Sequence, residues 1–298
     1  MDEVTDTTVV DADAMEFLDL SRLRADLPHL HEQYCGASPF PHIVIDEFLP
    51  AAAAAAAIKD FPSLDGEHWN GYVHTNERKF SNTTSEMWPA PLQRLLAELQ
   101  SDQFVDFLGR LTGIEGLFCD HSLEGGGLHQ SLAGGFLNVH ADFTVHPHHR
   151  TWRRRVNLLL YLNEDWKDEY GGQLELWSAD VKRREQVIAP IGNRAVVFST
   201  DMDSFHGHPE PMTCPPGVAR QSLALYYFTE ESQPVVRSTE YRARPGDGAR
   251  SMAIYADKQM LRAYDWAKRR LNLSDAPAQR LLAKLEKLRH RTPRSQKP

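Results

Sequence analysis

Hydrophobic and polar positions change their period along the chain and divide it into three parts. In the first part, the β-branched run 40–46 predicts a strand, and the alanine run 51–57 after Pro50 predicts a helix. Leucines at helical spacing predict one further helix over residues 91–111. Residues 64–88 are polar and aromatic without a clear period, and we expect a long loop that could act as a lid.

The middle part, from residue 116 to residue 229, has the pattern of a β protein. Short β-rich runs alternate with turns of glycine, proline and aspartate, which favours a sandwich or a barrel. The predicted strands are 116–122, 127–132, 135–142, 155–162, 173–177, 185–189, 194–199 and 220–229. After residue 250 the helical period returns, with apolar faces at Met260, Tyr264, Ala267 and Leu271 and at Leu281, Leu285 and Leu288.

Composition adds limits on location and partners. The chain has 298 residues, of which 41% are hydrophobic and 25% are charged, as in ordinary globular proteins. No apolar run is long enough for a membrane span, and the acidic N-terminus is unlike a secretory signal. A net charge of −8 argues against nucleic acid as a partner. Three widely spaced cysteines do not form a disulfide framework, so we expect a cytoplasmic protein.

Polar residues occupy one face of three predicted strands, and this separation predicts a binding site. Side chains alternate between the two faces of a strand. In residues 135–142, His140 and Asp142 share one face and apolar residues share the other. The strands over 155–162 and 220–229 show the same separation. We expect the polar faces to point into the barrel.

His140 and Asp142 are two residues apart, so an imidazole and a carboxylate can reach the same metal ion. Two imidazoles and one carboxylate leave three positions open on an octahedral metal, which is the facial triad of non-haem Fe(II) oxygenases. Because a lone H-x-D is common by chance, a third ligand is needed. His206 and His208 follow the strand predicted over 194–199, and strand parity does not choose between them.

Arg220 and Ser222 share a face of the last predicted strand. A guanidinium group pairs with a carboxylate through two hydrogen bonds, and a hydroxyl can add another, so the pair predicts a carboxylate-bearing cosubstrate. A zinc hydrolase with the same ligands gives no reason for this pair. A cupin-like binding protein without enzymatic activity would leave a buried carboxylate without its metal.

Together these motifs resemble the Fe(II)/2-oxoglutarate-dependent dioxygenases, in particular their prolyl-4-hydroxylase-like branch. The similar features are H-x-D, a distal histidine after an aromatic residue, and R-x-S on the next strand. Residues 161–163, 165–166 and 171–176 resemble the Y-L-N, W and G-G-x-L-x-L run of that branch in order and spacing. The resemblance covers about residues 120–229. It implies a double-stranded β-helix, or jelly roll, in an enzyme that uses Fe(II), 2-oxoglutarate and O₂.

The resemblance also implies roles for individual residues. The metal-binding and catalytic residues would be His140, Asp142 and His206. The cosubstrate-binding residues would be Arg220, Ser222 and Tyr161, with Asn138 near the site. The fourteen residues from His206 to Arg220 are more than is usual in the branch, and residues 213–217 could be an inserted turn. Phe205 favours His206 over His208, because an aromatic residue precedes the distal histidine in the family.

Residues 146–155 contain four arginines and three histidines, against the negative background of the chain. Arginine suits two-point contact with a carboxylate or phosphate, and parity places Arg155 on the inner face. We therefore expect an anionic group of the substrate to be held by Arg153, Arg154 or Arg155. The alternative is that these arginines pair with surface acids such as Glu164, Asp165 or Asp168.

The sequence thus predicts a mostly β protein with flanking helices. Residues 1–115 would form an N-terminal support with a possible lid, residues 116–230 the catalytic core, and residues 231–298 a helical extension. The expected reaction is hydroxylation of an unactivated C–H bond in a small, anionic substrate, such as an amino acid or a biosynthetic intermediate, with release of succinate and CO₂. The alternatives are a peptidyl or protein prolyl-type hydroxylase of the same mechanism and a non-enzymatic cupin-like binding protein.

Overall fold

A curled antiparallel sheet forms the centre of the protein. The computed structural model describes residues 16–66 and 68–256, and over these residues thirteen strands join in one sheet. In chain order the strands are β1 His42–Ile45, β2 Asn70–His74, β3 Glu77–Asn82, β4 Phe118–Cys119, β5 Gly127–Ser131, β6 Phe136–Ala141, β7 Trp152–Tyr161, β8 Leu174–Trp177, β9 Arg184–Ile188, β10 Arg194–Ser199, β11 His206–His208, β12 Arg220–Glu230 and β13 Glu240–Tyr241.

The strand order is that of a jelly roll, with sequence-distant strands as neighbours. The main path runs β1-β10-β7-β12-β5-β3-β6-β11-β8-β9. Three further strands pair at its sides, β2 with β3, β4 with β12, and β13 with β6. The predicted fold class is therefore confirmed, and all eight strands predicted between residues 116 and 229 are present.

Helices cover the apolar face of the sheet. They are α1 Leu20–Ala25, α2 Leu27–Gly36, α3 Ala51–Lys59, α4 Ala90–Leu99 and α5 Asp102–Thr112, and residues 250–256 are also helical. Leucines and phenylalanines of α4 and α5 pack in one cluster with Leu158 and Leu160 of β7 and Leu223 and Leu225 of β12. Burial of each such side chain contributes about 1.5–3 kcal/mol. Apolar contacts thus occupy this face and leave the opposite face of β7 and β12 for polar side chains.

The single helix predicted over 91–111 is in fact two helices. The α4 helix ends at Leu99, and Ser101 begins the next one, where its hydroxyl accepts a hydrogen bond from the Phe104 amide at 3.3 Å. Serine is favoured at this position because its side chain satisfies an amide that lacks a partner within the helix. The break lets both apolar faces pack on the sheet.

Residues 64–88 do not form the long loop that the sequence predicts. They contain the hairpin of β2 and β3, and β3 pairs with both β5 and β6 in the main sheet. The periodicity is hidden because charged and polar side chains of β3 face the interior, whereas Val73 in β2 is 56% exposed. The hairpin is therefore part of the wall of the barrel.

The segment after β12 returns to the sheet through β13. Glu240 pairs with Ala141, and Tyr241 pairs with His140. The helical faces predicted after residue 257, including Met260 and Leu281, lie outside the described residues. Among the residues that are described, no helix has the length and hydrophobicity that a membrane span requires.

Candidate active site

Four strands place polar side chains next to one another on the inner face of the sheet. Ser222 in β12 pairs with Tyr161 in β7 and with His129 in β5. His129 pairs in turn with Ser81 in β3. Residues directly opposite one another on neighbouring strands point to the same face of a sheet. These four side chains therefore lie on one continuous inner face.

His140, Asp142 and His206 converge at one point of this interior. His140 Nε2 lies 3.4 Å from Asp142 Oδ1, and His206 Nε2 lies 3.5 Å from Asp142 Oδ2. One ligand atom from each residue lies within 4.8 Å of the others, and no second group of this kind occurs in the described part of the chain. The structure therefore brings together the three residues that the sequence singles out.

The hydrogen bonds of both imidazoles suit a metal ion. His140 Nδ1 donates to the carbonyl of Asn138 at 2.9 Å, and His206 Nδ1 donates to the carbonyl of Ser204 at 2.9 Å. Since a carbonyl oxygen only accepts, the proton is on Nδ1 and the lone pair is on Nε2. Burial lowers the pKa of His206 to about 4, so this side chain is neutral at pH 7. Two imidazoles that direct Nε2 towards one carboxylate fit a divalent cation such as Fe(II).

Two side chains of β7 hold Asp142 in place. Asp142 Oδ2 accepts hydrogen bonds from Arg154 Nη2 at 2.9 Å and from Asn157 Nδ2 at 2.8 Å. Burial raises the pKa of Asp142, but the charge of Arg154 holds it well below its usual range. The carboxylate is thus ionised, with its orientation set by two donors.

An irregularity in β7 determines which of three consecutive arginines faces this carboxylate. Val156 pairs with Tyr227 and Arg154 with Phe228, so Arg155 is an extra residue in a β-bulge. The alternation of inner and outer positions shifts by one residue at the bulge. The prediction that Arg155 lies on the inner face is therefore wrong, and Arg154 takes that position.

Arg153 and Arg155 instead pair with acidic side chains. Arg153 Nη1 lies 3.2 Å from Glu231 Oε1, and its Nη2 lies 3.4 Å from Asp201 Oδ2. Arg155 Nη1 lies 3.6 Å from the same oxygen of Glu231. Carboxylates other than Glu164, Asp165 and Asp168 thus neutralise these arginines, and a substrate anion would have to compete with them.

Arg220 is buried and held by two partners in the interior. Its Nε donates to the carbonyl of Gly172 at 2.7 Å, and its Nη2 donates to the Tyr161 hydroxyl at 3.1 Å. Gly172 has a φ of +72°, and a Cβ atom there would lie 2.9 Å from Arg220 Cδ and 2.7 Å from Met212 Sδ. The second glycine of the Gly-Gly pair thus makes room for the guanidinium group. Ser222 is also buried on this face.

His208 and Asn138 are not among the side chains whose ligand atoms converge. A register shift separates His206 from His208, which pairs with Leu137. His208 is buried, and burial holds its pKa well below the usual value. Asn138 donates to the Thr75 carbonyl at 3.2 Å, so it joins β6 to the turn of the hairpin.

Sequence reasoning did not find the charged side chains that the hairpin contributes. Lys79 Nζ lies 3.0 Å from Glu77 Oε2, and His74 Nε2 lies 2.8 Å from Glu77 Oε1. Glu77, Lys79 and Ser81 alternate with other residues along β3, so period-two spacing was the available signal. The segment lacks an apolar face, so this spacing alone does not indicate a strand.

Comparison with known proteins agrees with this geometry. Residues 126–228 match the family model of the 2OG-Fe(II) oxygenase superfamily. This segment therefore carries a 2OG-Fe(II) oxygenase domain, and the match implies Fe(II) and 2-oxoglutarate as its cofactor and cosubstrate. The comparison with curated proteins found no match.

Two solved structures resemble this chain in fold. A prolyl-4-hydroxylase from Pseudomonas putida is 23% identical, with 68% of this chain and 100% of that chain covered and a TM-score of 0.51. A prolyl hydroxylase from Trichoplax adhaerens, solved with a hypoxia inducible factor oxygen degradation domain peptide fragment, is 18% identical. Here 70% of this chain and 92% of that chain are covered, with a TM-score of 0.51. Both likenesses agree with the jelly-roll fold.

Proposed function

We propose that this oxygenase hydroxylates an unactivated C–H bond of a small, anionic molecule, such as an amino acid or a biosynthetic intermediate. His140, Asp142 and His206 would hold the metal, and Arg220, Tyr161 and Ser222 would bind the distal carboxylate of 2-oxoglutarate. The observation that carries this assignment is the arrangement of the interior. The side chains of His140, Asp142 and His206, which we call the metal-type donors, converge there, and the buried guanidinium group of Arg220 lies on the same inner face.

When bound, Fe(II) supplies the redox chemistry by which O₂ converts 2-oxoglutarate to succinate and CO₂ and hydroxylates the substrate. Arg220 supplies the counter-charge for the distal carboxylate through charge-assisted hydrogen bonds. Gly172 and Tyr161 orient its guanidinium group before the cosubstrate arrives. This prior orientation lowers the entropic cost of fixing the cosubstrate.

Aromatic rings beside the metal-type donors limit access of water. The Phe198 ring centroid lies 4.7 Å from that of His206, and the Tyr241 ring centroid lies 5.5 Å from that of His140. Because these rings pack against the imidazoles, bulk water does not compete for the carbonyl hydrogen bonds that fix the tautomer. A dry site also strengthens every electrostatic interaction within it.

We also propose that the chain acts as one catalytic unit with residues 116–230 as its core. The strands β1 and β3 precede that core and β13 follows it, yet each pairs with a core strand. Both flanking parts therefore contribute to the barrel. A cytoplasmic location is consistent with Cys35, Cys119 and Cys214, which are free thiols.

Succinate formation tests the proposed function. The Fe(II)-loaded protein would be incubated with 2-oxoglutarate, O₂ and a panel of amino acids, other small acids and proline-containing peptides. We expect small acids to stimulate succinate release and to gain one oxygen atom by mass spectrometry. Stimulation by peptides alone would favour the prolyl hydroxylase alternative. Absence of succinate from metal-loaded protein that binds 2-oxoglutarate would favour the cupin-like alternative.

A further inference from the structure

A polar cavity of about 240 Å³ lies beside the proposed active site. The hairpin of β2 and β3, the strand β5 and the loop over residues 122–125 enclose it. Leu123 is the apolar side chain in its wall, whereas most of the others can donate hydrogen bonds. These donors are Asn70, Tyr72, Lys79, Ser81, Thr83 and Ser122.

The cavity is separated from the metal-type donors by a short series of contacts. At its edge, the Tyr226 hydroxyl donates to the carbonyl of Gly125 at 2.8 Å. The Tyr226 ring lies against the guanidinium group of Arg154, with 3.4 Å from the ring centroid to Cζ, and Arg154 in turn bonds Asp142. Two side chains therefore separate this wall from a proposed metal ligand.

A second wall of the cavity adjoins the proposed cosubstrate site. His129 lines the cavity and pairs with Ser222, two residues from Arg220 in β12. Its neighbour Ser81 has a small side chain, and both point to the inner face. One wall of the cavity thus lies two side chains from a proposed metal ligand, and another adjoins the strand that carries Arg220 and Ser222.

Lys79 supplies a positive charge in the cavity wall. Burial lowers the pKa of Lys79, but the adjacent Glu77 raises it above its usual value, so the ammonium group is charged. The ammonium group of Lys79 has three N–H donors, and Glu77 accepts from one of them. Glu77 also contacts His74 at 2.8 Å. Glu77 therefore fixes the position of the ammonium group, and other N–H donors can bind a ligand. The acidic side chain in the wall, Glu124, lies 3.5 Å from His148.

We propose that this cavity binds an oxyanion of the substrate, a carboxylate or a phosphate, with Lys79 as its charge partner and Tyr72 and Ser81 as hydrogen-bond donors. The proposal rests on the proposed function, because it assigns the cavity to the molecule that is hydroxylated. It places the anion contact on the hairpin, since Arg153 and Arg155 are neutralised by Glu231. An apolar ring of a substrate would gain little there, because hydrophobic stabilisation scales with the apolar area that is buried and most side chains in the wall are polar.

Inorganic phosphate provides a probe that does not depend on knowing the substrate. Zn(II)-loaded protein with saturating 2-oxoglutarate would be titrated into phosphate while the ³¹P line width is followed. We expect saturable binding by the unchanged protein and at least a tenfold weaker Kd in Lys79→Met. Lys182→Met is the matched control, because Lys182 is exposed and lies in the turn between β8 and β9. Phosphate binding that is absent, or equal in both variants, overturns the proposal.

Further measurements separate the source of the anion, loss of folding and failure of the proposed function. Displacement of phosphate by acetate assigns the site to carboxylates as well, whereas no displacement restricts it to phosphates.

If Lys79→Met does not fold, the double variant Glu77→Gln/Lys79→Met removes both charges and should show the same loss of phosphate binding. A tenfold rise in the Kd for 2-oxoglutarate in the variant would assign Lys79 to the cosubstrate and overturn the proposal. If phosphate binds through Lys79 but no succinate forms, the proposed function fails and the cavity assignment as an anion site stands.

Discussion

Arg154 Nη2 donates to Oδ2 of Asp142 at 2.9 Å, although the two residues are twelve positions apart in the chain. Asn157 Nδ2 donates to the same oxygen at 2.8 Å, so Oδ1 is the carboxylate oxygen directed at His140 Nε2. These two donors keep the carboxylate ionised and prevent it from rotating before a metal ion binds.

Replacement of Arg154 should therefore weaken metal binding. In Arg154→Gln the buried Asp142 loses its cation and its fixed orientation, and loss of such a supporting group typically costs about 10–100-fold in metal affinity. Competition with a chelator measures this constant for Zn(II) in both proteins. Arg153→Gln is the control, since Arg153 pairs with Glu231 and should leave the constant unchanged. Equal affinity in the two variants would show that Arg154 has no supporting role.

His206 and His208 should differ in their effect on the metal. His206 Nε2 lies 3.5 Å from Asp142 Oδ2, whereas His208 lies beyond the register shift in β11. We expect His206→Ala to abolish stoichiometric metal binding and turnover, and His208→Ala to retain the metal and some turnover. Metal content after dialysis, measured by mass spectrometry, separates the two variants. Loss of the metal in His208→Ala alone would reverse the assignment of the third ligand.

Arg220 should determine the affinity for 2-oxoglutarate. Removal of a charge-assisted partner from a buried carboxylate costs about 2–5 kcal/mol, so Arg220→Ala should raise the Kd strongly. Ser222→Ala removes one neutral hydrogen bond, with a cost of about 1 kcal/mol. Calorimetric titration of the Zn(II)-loaded proteins measures both constants. An unchanged constant in Arg220→Ala would refute the cosubstrate assignment.

Gly172→Ala should impair the cosubstrate site through Arg220. The added Cβ would lie 2.9 Å from Arg220 Cδ, so the guanidinium group must move away from Tyr161. We expect a raised Kd for 2-oxoglutarate together with lower thermal stability. Gly217→Ala is a matched control, because Gly217 also has a positive φ, of +85°, but nothing lies within 4 Å of its Cβ position. A similar Kd in both variants would mean that Gly172 is needed only for its backbone conformation.

Glu77 should give the protein a measurable sensitivity to acid. Burial alone would raise the pKa of Glu77. The charge of Lys79 and the hydrogen bond with His74 outweigh burial, so the pKa of Glu77 lies below its ordinary value of 4.5. A carboxyl group with a lowered pKa in the folded state stabilises that state at neutral pH, and the contribution is lost as the pH falls below about 4.5.

Denaturation with urea between pH 7 and pH 3 should show this contribution. Glu77→Gln should be less stable than the unchanged protein at pH 7, and the difference in the free energy of unfolding should shrink towards pH 3. Glu164→Gln, at an exposed position, should show no such trend. A difference that is independent of pH would mean that the charge of Glu77 contributes nothing to stability.

Strand parity explains which parts of the site were predictable from the sequence. His140 with Asp142 and Arg220 with Ser222 were found because two-residue spacing keeps side chains on one face of a regular strand. The same rule failed at Arg155, because a bulge adds one residue and nothing in the three arginines reveals it. Bulges depend on pairing with a distant strand, which one sequence does not show.

The hairpin was missed for a different reason. A strand is recognised when one face is apolar, but Glu77 and Lys79 face a polar interior and Val73 faces solvent. The hydrophobic pattern is thus inverted, and the segment looks like a loop. The cavity that this hairpin helps to enclose could therefore be found only in three dimensions.

The pairing of β13 with β6 sets the order in which the site can be completed during synthesis. A nascent chain that has emerged as far as residue 230 carries all three proposed ligands, but the edge of β6 at His140 and Ala141 still lacks its partner. Unpaired strand edges join other chains readily. Until residues 240 and 241 leave the ribosome, this edge of β6 is thus open to pairing with other chains.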